Sequence, residues 1–74
     1  MSPKLPMLKA PQLLSALSRH GFIAVRQSGS HVIVEHPDGR STVVPFHKGK
    51  DLPKGLLASI LRDTNLTITE LFDR

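Results

Sequence analysis

The chain has 74 residues, with ten Lys and Arg against six Asp and Glu, a formal charge of +4 and a pI near 10.2. That length holds one domain, residues 1–74, and a core no larger than two helices on a short sheet can bury. The absence of cysteine excludes a disulfide framework and a thiolate metal site. No apolar run reaches the length of a signal-peptide core or a membrane span, so a soluble, cytoplasmic protein is expected. The basic balance points to nucleic acid, because neutralised phosphates release counterions, or else to a surface that is charged for solubility. With three Phe and no Trp or Tyr, a base-stacking platform is not expected.

In chain order, "MSPKLPMLK" carries two prolines and no period, and reads as an extended lead-in. Pro11 suits a first helical turn, Leu13, Leu14 and Leu17 share one face, and Gly21 suits a C-terminal cap; the spacing predicts a helix over 11–20. "FIAVRQ" then reads as a strand, "SGS" as a flexible loop and "HVIVEH" as a second strand. "PDGR" is a tight turn in which Gly39 takes the left-handed conformation, and "STVVPF" closes a three-stranded antiparallel meander. "HKGKDLPKG" reads as a loop and "LLASILRDTNL" as a helix with Leu57, Ile60 and Leu61 on one stripe. Thr67 followed by Glu70 is a capping-box signature for a short terminal helix. The expected class is α+β, in the order α-β-β-β-α with a short tail helix. Both helices should lie on one sheet face, packed on Val32, Val34 and either Val43 or Val44.

Among the polar residues, His31 heads an apolar β-branched run. From the residues alone it fits a proton-transfer group, a nucleic-acid contact or a polar strand end. If the 37–40 turn sets the register, His31 pairs near Phe46 or His47, which brings two histidines to one sheet end. Val32 and Val34 pointing inward would leave His31 and Glu35 together on the outer face. His47 then takes an acid–base role or simply binds phosphate. Lys48, Lys50 and Lys54 crowd the approach to the last helix, where the macrodipole disfavours cations. A phosphate there would use them together with free N–H groups. Arg26 and Arg40 extend this basic surface, whereas His20 and His36 read as structural. No histidine pair has helical metal-ligand spacing, so neither a metal nor another cofactor is expected.

The run "RQSGSHVIVEHPDGRSTVVPFHKGKDLPKGLLASIL", with "LPML" and "HGF" before it and "LTITELF" after it, resembles the HicA family of bacterial and archaeal toxins. Its most specific element is Gly29-Ser30-His31; a second is Pro45 and His47 before a Lys/Gly-rich loop. The resemblance implies a fold similar to the double-stranded-RNA-binding domain. It also implies a ribosome-independent mRNA endoribonuclease held inactive by a HicB-type antitoxin, with His31 as the catalytic histidine. Two positions differ from the family pattern: Ser28 stands where a lysine often precedes the glycine, and "GLLASIL" replaces a Gly-Thr-Leu-Arg helix start. RNA supplies its own nucleophile, the 2′-OH. His31 would act as base toward it or as acid at the leaving 5′-oxygen. Gly29 and Ser30 would admit the backbone of the RNA, with Arg26, His47, Lys48, Lys50 and Lys54 on its phosphates. A non-catalytic double-stranded-RNA-binding module is the alternative, and direct DNA binding by this chain alone is not expected.

Overall fold

The structure, a computed structural model, describes residues 9–46 and 51–72, apart from the Lys54 side chain. Helix α1 (Ala10–Arg19) starts one residue before the expected position, because Lys9 is extended and its N–H donates to Gln12 Oε1 at 3.0 Å. Ala10, Leu13, Ala16 and Leu17 form its buried stripe, with Leu14 half-buried beside it. Gly21, at φ +89°, ends the helix, and the Phe22 N–H reaches back to the Leu17 carbonyl at 3.0 Å. Glycine is required twice over at that position. A Cβ there would also meet the His36 ring at 2.8 Å.

Strands β1 (Ile23–Ser28), β2 (His31–Glu35) and β3 (Ser41–Pro45) form one antiparallel sheet in the order β1-β2-β3. His31 pairs with Pro45, not with Phe46 or His47, and Glu35 pairs with Ser41. The expected register is off by a residue or more because the turn closes between His36 and Arg40 instead of between His36 and Ser41. The His36 N–H donates to the Arg40 carbonyl at 2.8 Å, so His36 faces Arg40 across a three-residue turn, 37–39, one shorter than expected, and its ring packs 5.1 Å from Phe22. Gly39 takes φ +101° inside that turn, as expected.

Val32, Val34, Thr42 and Val44 point to one face and pack with Leu13, Leu17, Phe22, Leu57, Ile60 and Leu71. Each fully buried aliphatic or aromatic side chain contributes about 1.5–3 kcal/mol relative to exposure. The choice between the two valines of β3 is settled in favour of Val44, which is fully buried while Val43 is 41 % exposed. Thr42 is buried too, its hydroxyl donating to Asp63 Oδ2 at 3.0 Å. Helix α2 (Lys54–Thr64) starts earlier than the leucine pattern, after the extended Pro53, and ends where Asn65 turns left-handed at φ 59°. Thr67 and Glu70 exchange both capping-box hydrogen bonds, each 3.1 Å, and start α3 (Ile68–Phe72), whose Leu71 is fully buried. The helices cover β2 and β3 only. All six residues of β1 are exposed.

Candidate functional site

The sheet face turned away from the helices is a grid set by the strand pairings. Ser28, His31 and Pro45 form one row; Arg26, Ile33 and Val43 the next; Ile23, Glu35 and Ser41 the third. Directly paired residues in antiparallel strands share a face, and rows lie two residues, about 6.7 Å, apart. His31 is therefore exposed, beside Pro45 and Ser28, and diagonal to Arg26 on one side and Val43 on the other. As expected, it shares this face with Glu35, two residues along. Arg26 reaches the face through a β-bulge. The register slips between Ala24 and Arg26, and the extra residue Val25 reverses the alternation that would otherwise turn Arg26 inward.

His31 follows a two-residue turn rather than a flexible loop. Ser28 pairs directly with His31, leaving Gly29, at φ +58°, and Ser30 to make the reversal. Glycine in the first position suits a II′ hairpin. Two contacts hold the turn: Gln27 Nε2 donates to the Gly29 carbonyl at 3.1 Å, and the Phe46 N–H donates to the Ser30 carbonyl. The first was not anticipated, although a long amide two residues before a turn glycine is a readable signal. The second holds Phe46, at the exit of β3, against the β1–β2 turn at the His31 end.

The sequence-predicted site residues do not all come together. Gly29, Ser30, His31 and Arg26 gather at one end and face of the sheet. Lys54 begins α2, whose first turn carries no acidic residue and whose cap makes no side-chain hydrogen bond, leaving N–H groups at the helix start. His47, Lys48, Lys50 and the Lys54 side chain lie outside the described residues. Arg40 does not extend the basic surface. Its guanidinium donates to Asp38 Oδ2 at 2.8 Å and to the Thr64 carbonyl at the end of α2, and lies 5.2 Å from the centre of the Phe22 ring.

That second turn is electrostatically built. The Asp38 carboxyl is held below its ordinary value of 3.8, chiefly by the Arg40 backbone N–H at 3.0 Å; desolvation opposes this, and the Arg40 guanidinium and His36 lower it further. His36 Nδ1 accepts the Asp38 N–H at 3.1 Å when neutral; protonated, it would instead donate to Asp38 Oδ1, 3.0 Å away. Lys9 pairs with Asp51 at 3.1 Å and ties the approach of α1 to that of α2, an exposed bridge worth about 1 kcal/mol or less. Arg26 makes no ion pair among the described residues. Also among these residues, no three His, Asp or Glu side chains group as metal ligands, and no helix is long and apolar enough to cross a membrane.

The expected order of elements is present, with a separate short helix at the C-terminal end. A search of curated proteins finds no significant match. A family model described as the HicA toxin of bacterial toxin-antitoxin systems matches residues 10–66, from the start of α1 to just beyond α2. That span takes in the whole sheet, the Gly29-Ser30 turn and His31, and on it the chain belongs to the HicA toxin family, proteins that work opposite an antitoxin.

Proposed function

We propose that the protein is a metal-independent mRNA endoribonuclease, acting without the ribosome and neutralised by a HicB-type antitoxin. The observation that carries this reading is His31, exposed on the sheet face away from the helices, with Arg26, which has no ion pair among the described residues, one diagonal step away. In the reaction the 2′-oxygen attacks phosphorus as its proton leaves. The P–O5′ bond breaks and the 5′-oxygen takes up a proton, giving a 2′,3′-cyclic phosphate and a 5′-hydroxyl. His31 serves one of the two proton transfers, base or acid, and an imidazole suits either near neutral pH. Arg26 neutralises charge on the phosphate, where a guanidinium binds two oxygens at once. The Gly29-Ser30 turn lets the RNA backbone come close. His47, Lys48, Lys50 and Lys54 would add attraction for phosphate, and His47 is the candidate for the second proton transfer.

The test is incubation of the purified protein with RNA in excess chelator. Cleavage should persist, vanish in His31→Ala, and spare a substrate whose cleavage-site nucleotide is 2′-deoxy. Intact RNA with tight, salt-sensitive binding would instead make the protein a non-catalytic RNA-binding module.

A further inference from the structure

The chain is built like a duplex-binding domain, yet its candidate chemistry stands on the opposite side of the sheet from its helices. We infer that the RNA it cuts is unpaired at the scissile nucleotide and lies across the open sheet face, with a base on the apolar floor formed by Ile33 and Val43. This inference rests on the ribonuclease reading and narrows its substrate.

Three observations lead there. First, His31, Arg26, Ile33 and Val43 occupy adjoining positions on the sheet face turned away from the described helices, with Ile33 half-buried and Val43 41 % exposed. A strand whose phosphate meets Arg26 and His31 has its neighbouring base directly over that floor. β-Branched side chains there offer an apolar surface without a hydrogen-bonding code, so a base rests on it by hydrophobic contact and not by ring stacking, with little regard to its identity. Second, the solvent side of α1 offers duplex phosphates little. Its exposed residues are Pro11, Gln12, Ser15, Ser18 and Arg19, with one cation among them. A duplex held on the helices would leave the His31 side chain on the far side of the sheet. Third, the 2′-oxygen must attack in line with the leaving 5′-oxygen. Continuous A-form stacking holds sugar and phosphate away from that alignment, while an unpaired nucleotide rotates into it.

The experiment compares one RNA sequence as a single strand, as a perfect duplex, and as a duplex with one unpaired nucleotide at the cleavage position. The unpaired forms should be cut about tenfold faster or more than the duplex. Placing one new carboxylate on either side of the sheet then locates the RNA. Val43→Glu should raise KM for the single strand about fivefold by charge repulsion, and Ser15→Glu on α1 should leave KM unchanged. Circular dichroism checks that each variant is folded. Equal cutting of duplex and single strand overturns the inference and leaves the ribonuclease reading standing. Cutting of neither by the wild type overturns both. A folded Val43→Glu variant that cuts RNA normally also overturns it, and if that variant loses its antitoxin, the floor is a protein interface.

Discussion

Arg26 and His31 share a face of the sheet only because β1 bulges at Val25. Arg26 pairs with Ile33 and His31 with Ser28, so the two side chains stand one diagonal step apart across the β1–β2 ladder. In a regular strand counted from the inward-facing Ala24, Arg26 would point to the helices. The bulge is therefore part of how the candidate site is assembled.

Arg26→Ala should weaken binding of single-stranded RNA and make its salt dependence shallower by about 0.7 in the log–log slope, the value of one phosphate contact. Arg26→Lys should restore the slope but not the full cleavage rate, because an ammonium cannot grip two phosphate oxygens in the plane of a guanidinium. Titrations across a range of salt, paired with rates on the same RNA, measure both.

Gly29→Ala should destabilise the fold by about 1–2 kcal/mol through backbone strain. Gly29 holds φ +58°, and nothing lies within 4 Å of where a Cβ would project. The penalty is thus conformational and not steric. A D-alanine introduced at position 29 by chemical synthesis should fold as well as the wild type in urea denaturation.

Arg40→Ala should cost about 2 kcal/mol, the worth of a charged hydrogen bond to the Thr64 carbonyl lost from a half-buried site. RNA binding should keep the wild-type salt slope, since Arg40 is spent on the join between the β2–β3 turn and the end of α2. A variant with normal stability and a shallower slope would return Arg40 to the RNA surface.

Acid should loosen the same join. The folded Asp38 carboxyl lies below 3.8, so its contribution is complete above that value, where both folded and unfolded forms are ionised. As pH falls below 3.8 the unfolded chain takes up the proton first, and the contribution disappears as pH passes through the lower folded value. Asp38→Asn, which keeps an acceptor for the Arg40 N–H but no charge, should flatten this part of a stability-versus-pH curve and leave neutral-pH cooperativity intact.

How much of this was readable beforehand differs by element. The first helix and the α3 cap were legible to within a residue because their signals are local: a proline at the start, a glycine at the end, a Thr-Glu pair three residues apart. The register of β2 and β3 was not, because it turned on whether the turn held three residues or four, and His36 is fixed opposite Arg40 with its ring on Phe22. That choice depends on a ring contributed from the other side of β1. The start of α2 was placed late for a related reason: its first turn holds Lys54 and Gly55, which carry no apolar period.

By itself the sequence determined the element order, the glycines at 21 and 39 and the family signature around Gly29-Ser30-His31, because each is written in residue type and short spacing. Tertiary structure decided which side of the sheet holds what. It buried Val44 and exposed Val43, put Arg26 on the same face as His31, and took Arg40 into the fold. A one-residue slip or bulge exchanges the two faces of a strand. Such slips are settled by packing against residues distant in the chain, which no local pattern encodes.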